Sequence, residues 1–414
     1  MLAEIKKPNR DHARRVLQCL VAAIRPLRVE ELAEILALDF DDTEGIPQLK
    51  PSWRWEDQEQ ALLTSCSSLI AIVDTGDSRA VQFSHFSVKE FLTSSRLATA
   101  SRDISRYHIA LEPAHTILAQ ACVSILLQLH DVDDVDDVDD MDEVKKNAPL
   151  ARYAAEHWVR HAQFEDVVSR IKGMEYLFDP DKPYFAAWRR LYDIDAVPPP
   201  TGSCLFHAFV LSKSGETTPL YYAALCGFRN IVEQLIVKHP QHVNAVGGRY
   251  GTTAVAALVG RHFEIAQVLH RNGSSVNPWG SAGWTLLGSA ANYGDLEMVQ
   301  VLLDYGVDVN GFNTQDALRC SALHNASWGK DPRSVRLLLE RGADPNALSK
   351  DDLTPLHLAS RHGKTEIARL LVEYGAIVEA EDSLGRTPLD FASCDEIVEL
   401  LLEHRGQARE RSTT

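Results

Sequence analysis

Two histidines spaced four residues apart are the first side chains in this 414-residue chain that could do chemistry together. On a helix, His157 and His161 would share one face, and Glu156 or Glu165 could complete a Zn²⁺ site. The order is Glu-His-x-x-x-His rather than His-Glu-x-x-His, so the glutamate that acts as the general base of metalloproteases is misplaced. Trp158 adds apolar surface beside the pair. We therefore interpret both as surface or half-buried histidines and predict no metal site.

Other patterns that carry catalysis or ligand binding are incomplete or missing from the sequence. The tract 131–143 holds nine acids and no base, but the glycine and glutamate that an EF-hand loop needs at its sixth and twelfth positions are misplaced. We interpret this tract as a flexible linker. Gly363-Lys364-Thr365 is similar to the end of a P-loop, but Leu358 occupies the position of its first glycine. No Gly-x-Ser-x-Gly motif occurs either. The sequence therefore predicts no catalytic residue, no cofactor and no enzymatic activity.

The composition is that of an ordinary globular protein, with 45% apolar and 24% charged residues. The length exceeds the roughly 250–300 residues at which single cores stop growing, so we expect at least two domains. Seven scattered cysteines without a Cys-x-x-Cys pair favour a reducing compartment. A net charge of −16 is unfavourable for binding nucleic acid, and the longest apolar stretch is shorter than the roughly 20 residues of a membrane-spanning helix. We predict a cytoplasmic protein, with the nucleus as the alternative, and neither nucleic acid nor membrane as a partner.

A pattern of about 33 residues recurs six times in the C-terminal half. Each copy reads approximately T-P-L-x-x-A, continues into an apolar helix and ends at a glycine. The threonine can cap a helix, the proline suits the first helical position, and the glycine permits a left-handed turn. No single unit can bury its own apolar stripe, so stability requires stacked neighbours. The spacing predicts an α-solenoid over residues 215–405, with repeats that start near Thr218, Thr252, Thr285, Ser321, Thr354 and Thr387.

The period, the T-P-L-H sequence and the G-A-D-x-N turn resemble the ankyrin repeat. Five copies are full length, and the sixth is shorter, as suits a terminal cap. The resemblance implies a groove that binds a protein partner, formed by the first helices and the turns. His324 and His357 occupy the T-P-L-H slot, where the imidazole is expected to brace the turn. The positions that point into the groove in ankyrin proteins give the candidate partner-binding residues Arg249, Trp284, Asn292, Tyr293, Trp328, Arg361 and His362.

The first hundred residues predict a winged helix, in which three helices precede a β-hairpin and a further helix. A capping box is expected between Ser87 and Glu90, with Phe86 and Phe91 as a hydrophobic staple. The third helix follows W-R-W-E-D-Q-E-Q and presents one arginine against three acids, which disfavours DNA binding. The predicted helices cover residues 12–24, 29–38 and 56–66, and the predicted strands cover 69–73 and 80–85.

Three segments carry a second resemblance: R-P-L-R-V-E-E-L-A-E, W-R-W-E-D-Q-E-Q and F-S-H-F-S-V-K-E-F-L. They resemble the winged helix that follows the NACHT nucleotide-binding domain in fungal signalling ATPases of the STAND class. This segment also bears the name of a GPI inositol-deacylase, which implies no lipase activity here. Residues 153–161 and 179–195 resemble the helical segments that lead to ankyrin repeats in those proteins. We therefore expect a winged-helix domain at 5–100, a helical bridge with an acidic linker at 101–200, and ankyrin repeats at 215–405.

The sequence as a whole predicts a mainly α-helical interaction module or scaffold without enzymatic activity, acting in STAND-type signalling. Its ankyrin groove is expected to bind a protein partner. Two alternatives stay open. On the first alternative, the chain is the C-terminal sensor and relay of a longer NTPase, and the NACHT nucleotide-binding domain is missing from this sequence. On the second, less favoured one, it is a DNA-binding regulator.

Overall fold

The computed structural model describes residues 2, 5–40, 45–66, 68–76, 78–129, 148–196, 217–274, 286–312 and 319–412. The acidic tract 131–143 and Trp284 lie outside the described residues. The chain divides into two compact units, Met1–Ile194 and Asp195–Thr414. The described residues of both units are mainly helical, and the strands lie in the first unit.

The first unit contains five short strands and ten α-helices among its described residues. The strands are β1 (Leu27–Arg28), β2 (Leu38–Asp39), β3 (Gln48–Leu49), β4 (Ile70–Asp74) and β5 (Arg79–Phe83). The helices are α1 (Arg10–Ala22), α2 (Val29–Leu36), α3 (Gln58–Cys66), α4 (Phe86–Thr93), α5 (Ser95–Ala98), α6 (Arg102–Ser105), α7 (Leu111–Leu126), α8 (Ala151–Ala162), α9 (Met174–Leu177) and α10 (Tyr184–Leu191).

The predicted winged helix is present. Strands β4 and β5 form the hairpin, closed by a hydrogen bond from Thr75 N to Ser78 O at 2.9 Å. Strand β1 joins the other edge of β5, which gives an antiparallel sheet in the order β1-β5-β4. Helices α1, α2 and α3 contact one another, and Val16 and Leu17 of α1 are fully buried. These contacts form the hydrophobic core of the winged helix.

Two predicted helix boundaries are wrong by about two residues. Helix α2 ends at Leu36 rather than residue 38, because Leu38 pairs with Leu49 in the small β2–β3 ladder. Helix α3 begins at Gln58 rather than residue 56. The W-R-W sequence lies before it, partly in a 3₁₀ turn over Pro51–Trp53. Proline has no backbone N–H, and it is tolerated at the first position of this turn because an N–H there would have no acceptor within the turn.

The predicted capping box at Ser87 is wrong. Helix α4 begins at Phe86, so Ser87 lies inside the first turn, and the residue that caps the helix is His85. The Nδ1 atom of His85 accepts the Ser87 N–H at 3.3 Å and lies 2.7 Å from Ser87 Oγ. Phe86 is 72% exposed and its ring lies on His85, while Phe91 is 44% exposed. The two phenylalanines therefore do not form a buried staple.

The charged residues of the R-P-L-R-V-E-E-L-A-E segment form a buried ionic cluster. Glu31, whose side chain is fully buried, accepts two hydrogen bonds from Arg25 at 2.7 and 2.9 Å and one from the Arg28 backbone at 2.8 Å. Burial alone would raise the pKa of Glu31, but these hydrogen bonds outweigh it and hold the pKa below its usual value. Glu34 accepts from Arg54 of the W-R-W sequence at 3.0 Å and from the Leu150 N–H at 2.7 Å. The segment thus connects α2 to the W-R-W loop and to the start of α8.

The second unit is a stack of helix pairs, one pair for each of the first five predicted repeats. A 3₁₀ turn over Pro388–Phe391 replaces the first helix of the sixth repeat, in keeping with the shorter terminal copy that the sequence predicts. The pairs are α11 (Pro219–Cys226) with α12 (Arg229–Lys238), α13 (Thr253–Val259) with α14 (Phe263–Arg271), α15 (Leu286–Tyr293) with α16 (Leu296–Asp304), α17 (Ala322–Trp328) with α18 (Pro332–Glu340) and α19 (Pro355–Arg361) with α20 (Thr365–Glu373); α21 (Asp395–Ser412) ends the stack.

Caps and turns in this unit follow the predicted pattern. The side chain of Thr218 accepts the Tyr221 N–H at 3.3 Å and begins the first helix of its repeat. Gly375 ends a second helix with φ at +91°, a conformation that glycine adopts without strain. A ladder of asparagines ties successive turns together, with Nδ2 of Asn310 donating to Gly342 O and Nδ2 of Asn346 donating to Gly375 O, both at 3.0 Å. Repeats three, four and five are therefore bonded to one another along the stack.

Candidate protein-binding groove

Four of the candidate partner-binding residues lie where the first helices of repeats three, four and five end. Asn292 and Tyr293 end α15, Trp328 ends α17, and Arg361 ends α19. His362 follows Arg361 directly. Alanine and leucine residues earlier in these helices are buried in the core, whereas Tyr293, Trp328 and Arg361 at the ends are exposed. Tyr293 is 42% and Trp328 47% exposed.

Close contacts link the ends of these helices. The rings of Trp328 and His362 stack with centroids 5.3 Å apart and an interplanar angle of 17°. The backbone of Gly329 approaches that of Asn292 so closely that an added Cβ would lie 2.6 Å from Asn292 O. Tyr293 follows Asn292, and Trp328 precedes Gly329, so this approach brings the ends of α15 and α17 together. We use the name aromatic track for Tyr293, Trp328 and His362. Three successive repeats contribute to it.

Positive charge surrounds the end of the aromatic track that belongs to repeat five. Burial lowers the pKa of His362, and the neighbouring cations Arg361 and Lys364 lower it further. The imidazole is therefore neutral at neutral pH and stacks on Trp328 as an uncharged ring. Arg361 is exposed and Lys364 half-buried.

Arg249 is not part of this surface, because it lies in the turn that precedes repeat two. Its backbone N–H donates to Asp195 Oδ2 at 2.5 Å, and the neighbouring Tyr250 N–H donates to the Tyr221 hydroxyl at 3.1 Å. Tyr221 in turn donates to Asp195 Oδ1 at 2.7 Å. Burial, followed by the charge of Asp195, raises the pKa of Tyr221. The turn that carries Arg249 is thus held in place by hydrogen bonds to a buried tyrosine and a buried aspartate.

His324 and His357 brace turns, as the T-P-L-H slot predicts. In repeat four, Nδ1 of His324 accepts the Ser321 N–H at 3.2 Å, so its Nε2–H donates to Leu353 O at 2.9 Å. His357 does the same between the Thr354 N–H at 3.1 Å and Arg386 O at 3.1 Å. Both imidazoles connect their own repeat to the following turn.

Sequence reasoning missed two features of this half. Tyr221 takes the histidine slot of the first repeat, and the T-P-L-Y sequence was the available signal. The turns also expose apolar side chains: Val246 is 67%, Leu348 58% and Leu384 74% exposed. These exposed side chains could have been predicted, because each is an isolated apolar residue within a predicted turn.

The histidine pair of α8 is buried, so the predicted surface or half-buried setting is wrong. His161 is fully buried and His157 is 6% exposed. Nδ1 of His161 lies 2.8 Å from Nδ1 of His115, and its Nε2 lies 2.9 Å from the Tyr153 hydroxyl. Burial and the neighbouring His115 lower the pKa of His161 to about 3. Both ring nitrogens of His161 are used in hydrogen bonds, which leaves neither of them available as a metal ligand.

The comparisons with protein families match both halves of the chain. Residues 253–348 and 323–411 match the profile described as ankyrin repeats in three copies. Residues 1–102 match the profile described as the winged-helix domain of GPI inositol-deacylase. The chain therefore contains ankyrin repeats and a winged-helix domain of this type.

The curated relatives share parts of the chain. The azaphilone pigments biosynthesis cluster protein L of Monascus ruber is 30% identical over 291 residues, which cover 67% of this chain and 58% of that protein. The ankyrin repeat, SAM and basic leucine zipper domain-containing protein 1 of Dasypus novemcinctus is 34% identical over 123 residues, 29% of this chain and 25% of that protein. The ankyrin repeat and SOCS box protein 3 of Bos taurus is 32% identical over 176 residues, 34% of this chain and 33% of that protein. The chain thus spans between 25 and 58% of the length of these relatives. Among the described residues, no helix combines the length and the apolar character needed to cross a lipid bilayer.

Proposed function

We propose that this protein is a non-enzymatic interaction module whose ankyrin groove binds a protein partner within a STAND-type signalling assembly. The aromatic track carries the proposal. Tryptophan, tyrosine and arginine are the side chains most often found as interface hot spots, and here they lie together at the ends of three successive helices. The ankyrin repeats shared with the relatives support the same class of function.

The size of the repeat half is sufficient for this role. A stable protein interface buries roughly 1,200–2,000 Å² in total, and a solenoid presents such an area along its stacked inner helices. Binding residues at helix ends need not move when a partner docks, because the Asn310 and Asn346 ladder bonds fix the stacking of the repeats. A preorganised surface of this kind loses little conformational entropy on binding.

Four buried cysteines support a non-enzymatic role. Burial raises the pKa of the Cys19 and Cys66 thiols to about 12, and it also raises the pKa of Cys122 and Cys226. Thiols with raised pKa values are poor nucleophiles at neutral pH. These four residues therefore act as small apolar side chains in the core.

The charges around the third winged-helix helix support a partner other than DNA. Arg54 is held by the buried Glu34, and Arg79 of the hairpin forms an ion pair with Glu59 of α3. Arginines engaged by carboxylates are poorly placed to replace the counterions of a phosphate backbone. We propose that the winged helix serves the assembly as a scaffold.

Affinity capture with the full chain tests the proposed function. The wild type is compared with Tyr293→Ala/Trp328→Ala and with the control Val237→Ala/Tyr374→Ala, which removes exposed apolar side chains at the ends of second helices. We expect a defined set of proteins to bind the wild type and the control and to be lost at least about tenfold from the groove variant. Equal retention by all three chains would exclude the aromatic track as the binding surface.

A further inference from the structure

Three cations lie beside the aromatic track without a carboxylate partner among the described residues. Lys330 is exposed two residues after Trp328, and Arg361 is exposed at the end of α19. Lys364 is half-buried and is the residue directly before α20. No ion pair joins any of the three to an acid in the described part of the chain. We use the name cationic rim for these three residues.

Two of the acids closest along the chain to the aromatic track are engaged by arginines. Asp295 pairs with Arg261 at 2.6 Å and caps α16 through the Met298 N–H. Asp331 pairs with Arg333 at 2.8 Å and accepts the Arg333 N–H at 3.0 Å. Glu366, in the first turn of α20, is exposed, and no ion pair joins it to a base in the described part of the chain. The three cations of the cationic rim outnumber this carboxylate, so the charge next to Trp328 and His362 is net positive, in a chain whose net charge is −16.

We infer that the groove selects an acidic protein segment, in which aspartate or glutamate residues alternate with aromatic or aliphatic ones. This inference rests on the proposed function and specifies the chemistry of the partner. The apolar side chains of such a segment would pack on the aromatic track, and its carboxylates would face the cationic rim. A basic segment would place like charges together, which costs binding energy and excludes wrong partners.

The arrangement of the two groups gives each a separate task. Contact with Tyr293 and Trp328 buries apolar area and determines how long the complex lasts. The cationic rim is solvent-exposed, so its contribution is mainly to steer an acidic partner and to accelerate association, and added salt weakens this effect. Affinity for the acidic segment should therefore fall as ionic strength rises, while the contribution of the aromatic track remains.

A single-stranded nucleic acid is the competing occupant, because bases also stack on exposed aromatic rings beside cations. The described surface favours a protein segment. A strand that follows such a groove needs cations along its whole length. The inner helices of repeats one and two instead end in the uncharged residues Cys226 and Val259, each followed by a glycine. The ion-paired acids Asp295 and Asp331 also lie next to the aromatic track. Nucleic acid is therefore treated as an outcome of the test.

A random library of 16-residue peptides displayed on phage tests the inference with the full chain as bait. We expect the selected peptides to be enriched in aspartate and glutamate next to aromatic or aliphatic residues and to lose binding to Trp328→Ala. Peptides that depend on Trp328 but carry no acidic excess would overturn the inference and leave the proposed function intact. Peptides that bind wild type and Trp328→Ala equally would overturn both.

Charge reversal distinguishes the cationic rim from net charge. A synthetic copy of the strongest selected peptide is titrated by fluorescence anisotropy against the wild type and two triple variants with the same net charge. The groove variant is Lys330→Glu/Arg361→Glu/Lys364→Glu, and the control is Arg271→Glu/Arg336→Glu/Arg369→Glu on exposed positions of the second helices.

We expect the Kd of the acidic peptide to rise about tenfold or more for the groove variant and to change little for the control, with both variants showing the circular dichroism of the wild type. Equal weakening by both variants would overturn the inference, because it would show a general effect of net charge. Displacement of the peptide by micromolar poly(U) RNA, with loss of RNA binding in the groove variant, would overturn it in favour of nucleic acid.

Discussion

At the scale of the residue, the hydrogen bonds of the bracing histidines require a neutral ring. Nδ1 of His324 faces the Ser321 N–H, and Nδ1 of His357 faces the Thr354 N–H. A protonated imidazole would place a second donor against each of these donors. Burial lowers the pKa of both histidines, although their bonds to backbone carbonyls act in the opposite direction. The folded protein therefore binds fewer protons than the unfolded chain at mildly acidic pH.

Mild acid should destabilise both units through their buried histidines. An unfolded histidine has a pKa near 6.5, so stability is complete above that value and is lost as pH falls from there toward the folded pKa. For His161, with a folded pKa of about 3, the loss at pH 5 is about 2 kcal/mol. Hydrogen exchange read by mass spectrometry at pH 7.5 and 5.0, corrected for intrinsic rates, should show weaker protection around His161, His324 and His357. Unchanged protection there would contradict these neutral hydrogen-bond networks.

Removal of the Tyr221 hydroxyl should destabilise the repeat half. Tyr221→Phe leaves the buried Asp195 carboxylate and the Tyr250 N–H each without one partner, at a cost of about 1–3 kcal/mol. Tyr374→Phe is the matched control, because that tyrosine is 39% exposed. Urea unfolding followed by circular dichroism measures the difference. A similar midpoint for both variants would mean that Tyr221 does not fix the turn.

At the scale of the element, helix α2 depends on one buried carboxylate. Glu31 completes the N-terminal cap of α2 through the Arg28 N–H and also neutralises Arg25. Glu31→Ala leaves both groups without their acceptor, and we expect a loss of about 3–5 kcal/mol. Glu30→Ala, one residue earlier and half-buried, should change the free energy of unfolding by less than about 0.5 kcal/mol. Comparable losses in thermal unfolding of the two full-length variants would contradict this role.

The elements were predictable to the extent that their signals are local. Apolar periodicity and the T-P-L-x-x-A pattern gave the helices of both halves, since capping and burial act within one or two turns. The errors have two different causes. Leu38 leaves α2 because it pairs with Leu49, which the residues next to Leu38 do not identify. Helix α4 starts at Phe86 because the ring of the adjacent His85 serves as the cap, although histidine is not one of the preferred N-cap residues.

In the candidate site, too, the positions of residues could be predicted from the sequence, whereas their contacts with distant residues could not. Tyr293, Trp328 and Arg361 follow from repeat position, because each repeat uses the same register. The stacking of Trp328 on His362 and the bonding of Arg249 to Asp195 depend on contacts between residues 34 and 54 positions apart. Likewise, the ionic cluster of α2 explains the R-P-L-R-V-E-E-L-A-E segment as structural, since two of its three glutamates are buried. Glu31 is held by arginines within the segment, and Glu34 is held by Arg54 and the Leu150 N–H.

At the scale of the whole molecule, the second unit begins with a residue that the repeat pattern does not include. Asp195 lies 23 residues before Thr218, yet it accepts hydrogen bonds from Tyr221 and Arg249. We expect the fragment 195–414 to fold with greater stability than the fragment 197–414, by about 1–3 kcal/mol. Asp195→Ala in the longer fragment should reproduce the loss, which is measured as the urea midpoint. Equal midpoints for all three fragments would place the start of the folding unit after Asp195.

The bracing positions and the exposed helix ends of each repeat are different residues. His324 joins its repeat to the following turn from the third position of α17, while Trp328 ends the same helix at the surface. Substitutions at the helix ends leave the hydrogen bonds of the bracing histidines in place, although a change at Trp328 also removes its ring stacking on His362. An evolving lineage, or a designer who randomises a few such codons, can exchange one binding specificity for another while the scaffold persists.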